Sequence, residues 1–406
     1  MHVLIVSHGY PSAKDPQWGC FEKDQAEALV NMGHRVTIAV VDQRFRPSNQ
    51  ACGIRHINDG AISAYIYFLL SGKLIPSRMK RFVAERMMLR LCRKIFRAEG
   101  IPDVIYAHYM FCMAMLRQVK QKYAIPVVGI EHWSELNKTT LPPRLMQMGR
   151  TAYALADRLL AVSPSLQAQM KRHFSVEAEV VCDMVSDVFL QPIIPEKTAK
   201  PFVWLAVGSL IHRKGYDVLI EAFAQIDRSA MSLGSSKNAE QLIIIGSGTE
   251  SERLRTQAEQ LGIADCVRFT GMLDKQAIVG LMNESNAFVL PSRGETFGVA
   301  YIEAMAMGLP IIATPCGGPE HFVNSDNGLL VDIDNVEQLA EAMRQMETAI
   351  DKYQPGTIRA YVQERFSAKA IAGQLEEIFE KVIKQKTTIN EESNHCRSRR
   401  HGTYRL

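Results

Sequence analysis

Glu295 and Glu303 are separated by seven residues, and one of these, Gly298, precedes the apolar run Val299 to Ala306. A strand is expected to end at Leu290, a polar loop to follow, and a helix to begin near Gly298–Val299. The first turn of a helix has backbone N–H groups without intrahelical partners and a partial positive charge, so it receives a phosphate well. Glycine there lets a ligand come close to the backbone. Side chains lean back toward the helix start, so Glu303 reaches a group bound beside that end and Glu295 approaches it from the loop. Two carboxylates repel a phosphate. They suit hydroxyls on either side of one, such as those of a ribose and a sugar. Spacing alone leaves a second reading open, with Glu295 an ordinary loop charge and Glu303 part of a solvated helix face.

The elements that must hold these residues can be read from alternation. Short β-branched runs at Val3–Val6, Arg35–Val41, Val104–Ala107, Pro126–Glu131 and Arg158–Val162 are separated by amphipathic stretches. The pattern resumes with Phe202–Val207, Leu242–Ile245, Val267–Thr270, Ala287–Leu290 and Pro310–Ala313. Runs that are apolar throughout fit parallel strands covered on both faces, and strand–helix alternation gives doubly wound α/β sheets. The proline-rich segment 191–201 reads as a linker. The expected fold class is α/β, with two Rossmann-like domains facing across a cleft. Domain 1–197 comes first, then 198–366, then a helix at 367–385 packing back toward the first domain, and a disordered basic tail at 386–406. His132 and His108 each follow a strand directly, the place where such folds put their sites. A structural histidine is the alternative for both. Gly19 precedes the first long helix, as a helix-entry glycine or as a phosphate contact.

Several segments, in order, resemble the retaining glycosyltransferases of the GT-B fold, in particular glycosyltransferase family 4. The Glu295–Glu303 pair is similar to its E-x7-E motif. Ala206–Asp217 resembles its VGRL…KG segment, Leu242–Gly248 its L-x-x-x-G-x-G turn, and Val267–Gly271 its V-x-F-x-G strand. Gly317-Gly318-Pro319-Glu320 with Asn327–Val331 resembles GG-x-x-E…NGLLV. The N-terminal segments around Gly19 and His132 look most like bacterial surface-polysaccharide enzymes.

The resemblance implies roles. Glu303 would bind the ribose of a nucleotide sugar, and Glu295 the hydroxyls of the transferred sugar. The backbone around Phe297, Gly298 and Val299 would meet the diphosphate or sugar. Lys214 would pair with the diphosphate, whose developing charge must be neutralised for it to leave. A solvated loop lysine is the alternative for Lys214. Ser209 stands where the family usually has arginine, with Arg213 as a stand-in, and Gly19 and Gly271 complete the donor set. His132, with Glu295 and Lys214 in the catalytic set, would hydrogen-bond the sugar and position the acceptor, and His108 would line the acceptor side. The implied reaction is hexosyl transfer with retention, by front-face displacement in which the leaving phosphate takes the acceptor proton. No resident cofactor is implied. The nucleotide-diphosphate sugar, UDP- or GDP-linked, is a co-substrate, and the acceptor is a saccharide or lipid-linked glycan. Two other readings remain: a nucleotide-sugar epimerase on this fold, and a catalytically idle nucleotide-sugar-binding scaffold.

Composition narrows the setting. The chain has 406 residues, 47% hydrophobic and 22% charged, ordinary usage for a globular protein. Eight cysteines at scattered spacings show no C-x-x-C pair and read as thiols in a reducing, cytoplasmic compartment. No apolar run approaches the ~18 residues of a membrane span. Asp332-Ile333-Asp334 is formally a D-x-D metal signature, but it stands just before a helix where Asp334 or Asn335 is a natural N-cap, so no metal is expected. The basic segments lack interleaved aromatics, which argues against nucleic acid. The net charge of +4 is unevenly spread. The tail from His395 has four arginines and no acid, and the stretch 77–98 sets eight basic residues against Glu85 alone. At ~100° per residue Arg86, Arg90, Arg93 and Arg97 form one stripe, with Ala84, Met88, Leu91 and Ile95 opposite. That stripe is either a solvated face or a contact with anionic membrane, at the inner face of the plasma membrane.

Overall fold

The run His2-Val3-Leu4-Ile5-Val6-Ser7 forms the first strand, β1, buried at all six positions, as a strand inside a doubly covered parallel sheet must be. The computed structural model describes residues 1–13, 15–43, 52–68, 77–191, 202–232 and 241–401. After β1 (His2–Ser7) come α1 (Cys20–Asn31), β2 (Arg35–Asp42), β3 (Gly53–Asp59), β4 (Ile62–Phe68), α2 (Ser77–Ala98), β5 (Val104–His108), α3 (Tyr109–Ala114), α4 (Arg117–Tyr123), β6 (Val127–Glu131), α5 (Pro143–Tyr153), β7 (Arg158–Ala161), α6 (Pro164–Phe174) and β8 (Glu179–Val180). The second series is β9 (Val203–Val207), α7 (Tyr216–Ser232), β10 (Gln241–Ile245), α8 (Ser251–Leu261), β11 (Val267–Gly271), α9 (Lys275–Glu284), β12 (Ala287–Val289), α10 (Val299–Ala306), β13 (Ile311–Ala313), β14 (Gly328–Leu330), α11 (Val336–Thr348), α12 (Pro355–Phe366) and α13 (Ala368–His401).

The first series builds a sheet of order β3-β4-β2-β1-β5-β6-β7-β8, the second one of order β11-β10-β9-β12-β13-β14. Every pairing is parallel except β3 with β4. The fold is therefore two α/β units with largely parallel sheets, and each strand run expected from the sequence is a strand. The hairpin partner β3 was not expected. It lies at the sheet edge with Arg55, His56 and Asn58 exposed, so it lacks the continuous apolar run that marks the inner strands.

The chain divides into two compact units. One comprises Met1–Val162, Leu166–Val181 and Ile371–Leu406, the other Ser163–Ser165 and Cys182–Ala370. The expected boundary near 197 lies outside the described residues. The change of unit comes earlier, because Val185 bridges to Ser367 and its N–H donates to Phe366 at 2.8 Å, while Arg359 donates to the carbonyls of Leu190 and Gln191.

The last helix belongs mostly to the first unit, where it buries Ile371, Leu375, Phe379 and Val382. The Phe379 ring meets Tyr106 edge-on at 5.2 Å. A disordered tail from 386 was expected, but the backbone stays helical to His401. Residues 374–401 contain neither glycine nor proline, the two residues that most readily end a helix. Residues 402–406 lie outside the described residues.

On α2 the expected stripe is formed. Arg86, Arg90, Arg93 and Arg97 are exposed, whereas Ala84, Met88, Leu91 and Ile95 are buried. No helix among the described residues is long and apolar enough to cross a membrane.

Candidate active site

In each unit the chain runs first to one side of the opening strand and then to the other. Loops after the two strands at that reversal splay apart, and ligands of open α/β sheets bind there. In the second unit the reversal falls between β9 and β12, so the residues that matter are those following Val207 and Val289.

Lys214 follows β9 and Glu295 follows β12. Lys214 Nζ donates to Glu295 Oε1 at 2.6 Å, and Ser292 Oγ donates to the same oxygen at 2.8 Å. The lysine side chain is 15% exposed and the glutamate 7%, so the pair is nearly dry. Arg213 Nη1 donates to the Gly294 carbonyl at 3.0 Å. Arg293 clasps the same two loops. Its guanidinium donates to both Asp217 oxygens at 2.8 and 2.9 Å, to Asp334 at 2.6 Å and to the His212 carbonyl at 2.6 Å. This bidentate geometry is the strong form of such a bond, and Asp217 beside it holds the Arg293 pKa above its ordinary value. Burial would raise the Asp217 carboxyl, but Arg293 holds it below the usual carboxylate range.

Gly298 starts α10 with φ 102°, a left-handed conformation that side chains resist. A Cβ there would sit 2.7 Å from the Tyr301 ring, which is anchored by its hydroxyl to the Leu290 carbonyl at 2.6 Å. Val299 is the first residue of α10, and Glu303 lies one turn further on, partly exposed. The Phe297 side chain is not free to meet a donor: its ring is buried against Phe322 and Phe366, at 5.4 and 5.5 Å, and its carbonyl packs against Gly318. Ser209 is exposed after β9, and Gly271 ends β11, two strands from β9. Asp334 is taken by Arg293, and Asn335 is the N-cap of α11, accepting from Gln338 N–H at 2.9 Å. Among the described residues no three His, Cys, Asp or Glu side chains are grouped to hold a metal ion.

In the first unit the reversal falls between β1 and β5. Gly19 caps α1 at φ 81°, and a Cβ there would meet the Gly9 carbonyl at 2.3 Å, so local sterics already require glycine. His132, after β6, is partly exposed, and its Nε2 lies 3.2 Å from His108 Nδ1. His108 itself is 1% exposed. The expected acceptor contact is therefore corrected: His108 is buried, and of the two rings only that of its hydrogen-bond partner His132 is partly exposed. Burial first, with His132 and His8 adding and Glu22 opposing, pushes the His108 pKa down to about 3.

Glu131 orders the turn. It is fully buried and accepts from the N–H groups of Met110, His132 and Trp133 at 2.9, 3.1 and 3.0 Å and from the Tyr153 hydroxyl at 2.9 Å. Its pKa stays raised because burial outweighs those bonds. Tyr109 holds φ 65°, a strained backbone of the kind concentrated at functional sites.

His8, Trp18, Glu22, Tyr109, Glu131, Asp217 and Arg293 were not anticipated. His8 carries the signal that singled out His132, standing directly after a strand. Buried Glu22 and Glu131 carry no such signal, since their neighbours come from distant parts of the chain.

The comparisons with known proteins bear on the fold and the family. The model of Glycosyl transferases group 1 matches residues 190–355, and that of Glycosyltransferase Family 4 matches residues 23–183. Lipopolysaccharide core biosynthesis glycosyltransferase LpsE of Rhizobium meliloti is 32% identical over 281 residues, covering 68% of this chain and 74% of that one. A D-inositol 3-phosphate glycosyltransferase of Acidothermus cellulolyticus is 28% identical over 260 residues, 58% of this chain and 57% of its own length. The solved structure of sucrose-phosphate synthase from Thermosynechococcus elongatus superposes with a TM-score of 0.73 at 21% identity, covering 95% of this chain and all of that one. The chain belongs to the family 4 glycosyltransferases of the GT-B fold.

Proposed function

We propose that the chain is a retaining, metal-independent hexosyltransferase. It moves a hexose from a UDP- or GDP-linked sugar to a saccharide or lipid-linked acceptor during assembly of a cell-surface polysaccharide, such as an exopolysaccharide or lipopolysaccharide. The observation that carries this is the Lys214–Glu295 pair beside the Gly298-capped start of α10. It sets a cation for the leaving diphosphate, a carboxylate for sugar hydroxyls and free helix N–H groups for phosphate within one pair of loops. Glu303 takes the ribose; Ser209, Arg213, Gly271 and Val299 border the donor, and His132 positions the transferred sugar and the acceptor. The leaving phosphate takes the acceptor proton in a front-face displacement.

The relative named for lipopolysaccharide core biosynthesis supports the surface-glycan reading. A place at the cytoplasmic membrane face is supported by the exposed arginine stripe of α2, which borders a groove of about 590 Å³ beside Ile54. Each basic residue near an anionic surface contributes ~1 kcal/mol. The test is a thermal-shift panel of UDP, GDP, ADP and CDP sugars. A donor at ~100 times its Kd stabilises by ~2.7 kcal/mol, a shift of a few degrees. Product NMR with and without chelator then reads the anomeric configuration. An inverted anomer, loss of turnover with chelator, or no stabilising nucleotide sugar counts against the reading.

A further inference from the structure

A cavity of about 420 Å³ opens in the first unit beside His8. Trp18 and Phe111 line it with aromatic surface, Lys80 and Arg81 from the first turns of α2 bring positive charge, and Asp42 brings one acid. Among the described residues Lys80 has no ion-pair partner. Arg81 approaches Glu85 only to 3.9 Å, and that carboxylate is already held by two bonds from Arg117 at 2.8 and 3.0 Å. The cavity thus has more cation than its own acids neutralise.

His8 is fixed from behind. Its Nδ1 bonds to Glu22, which is 1% exposed and also accepts from Ser7 Oγ at 3.2 Å. Burial would raise the Glu22 pKa, but the His8 bond and the nearby His108 and His8 charges hold it down at about 2. The acid therefore remains a carboxylate. Committing Nδ1–H to it leaves Nε2 as the free nitrogen of His8. Edge-on contacts with Trp18 at 4.4 Å and Tyr109 at 4.9 Å fix the ring plane.

We infer that this cavity receives the acceptor, that Lys80 and Arg81 select one carrying a phosphate group next to a sugar ring, and that His8 Nε2 hydrogen-bonds that acceptor. Glu22 is a positioning residue acting through His8. The inference rests on the glycosyltransferase reading and names the acceptor class. The phosphate belongs either to a soluble sugar phosphate or to a lipid-linked saccharide.

The test is fluorescence titration of the full chain with glucose, glucose 1-phosphate and a short prenyl-diphosphate glucose. Both phosphorylated probes are expected to bind at least tenfold tighter than glucose, and the double variant Lys80→Gln, Arg81→Gln to lose that advantage. Tighter binding of the prenyl probe assigns the lipid source, and equal binding the soluble one. His8→Asn and Glu22→Gln should each weaken the phosphorylated probes severalfold, and together no more than His8→Asn alone. Equal binding of glucose and glucose 1-phosphate, or an advantage surviving in the Lys80/Arg81 variant, overturns the inference. Additive losses at His8 and Glu22 overturn the positioning role. If no nucleotide sugar stabilises the wild-type chain, the wider reading fails. If one does and the phosphate preference is missing, only this inference fails.

Discussion

Replacing Lys214 with methionine removes the cation from a nearly dry pair while keeping the aliphatic stem that packs beside Gly208. At 2.6 Å and an effective dielectric of ~20, the gross attraction is ~6 kcal/mol. Most of it is offset by the desolvation of both ions, so the observable is the cost of stranding one partner. A buried charge left unpaired costs ~3–5 kcal/mol, and Glu295 at 7% exposure belongs near the lower end, ~3 kcal/mol. Glu295→Gln strands a lysine on a flexible stem that reaches water more easily, for ~1–2 kcal/mol. The double variant has no stranded charge and should lose only ~1–2 kcal/mol, a coupling of ~2–4 kcal/mol. Urea unfolding reads this through Trp204, buried in β9, in a background with Trp18→Phe and Trp133→Phe to silence the other unit's tryptophans. Losses that add to within ~0.5 kcal/mol would refute the pairing argument. Transfer activity should fall in both single variants and stay low in the double one, because the proposed donor roles need both charges.

Gly298→Ala should cost ~1–3 kcal/mol, from a left-handed alanine and the 2.7 Å approach to Tyr301, and should weaken nucleotide-sugar binding in the same thermal-shift assay. Arg293→Ala breaks the clasp on Asp217 and Asp334 and should cost ~1–3 kcal/mol, with the donor KM raised more than kcat falls. His108 has a folded pKa depressed to about 3 by burial, so the unfolded chain binds the extra proton. Stability is full above pH ~6.5 and declines by up to ~1.4 kcal/mol per pH unit as pH falls toward the folded value. At pH 5 the loss is ~2 kcal/mol by urea midpoint, and His108→Phe should flatten that part of the profile.

The inner strands were legible because their burial leaves no polar position to interrupt the run: β1, β2 and β9 are apolar almost end to end. The edge strand β3 was not, since exposure gives it a polar composition that a loop shares. The loops around Gly298 and Glu295 were legible as loops through glycine and carboxylate spacing, which a short stretch of chain contains whole. The Arg293 clasp was not, because Asp217 and Asp334 lie 76 and 41 residues away. Buried acids such as Glu22 and Glu131 carry no local mark; what makes them possible is a set of donors that only the folded sheet gathers. His108 was found by its place at a strand end, yet that rule says nothing of whether the ring faces solvent.

The first unit contains both the start of the chain and its last helix. In synthesis, domains generally complete in the order in which they emerge. Here the unit that begins second is the first to have all its parts. When Cys182–Ala370 has left the ribosome that unit has all its parts, while the sheet begun by β1 still waits for Phe379 to cover Tyr106. Stopping the chain after Phe366 would therefore injure the unit begun first, not the one begun second.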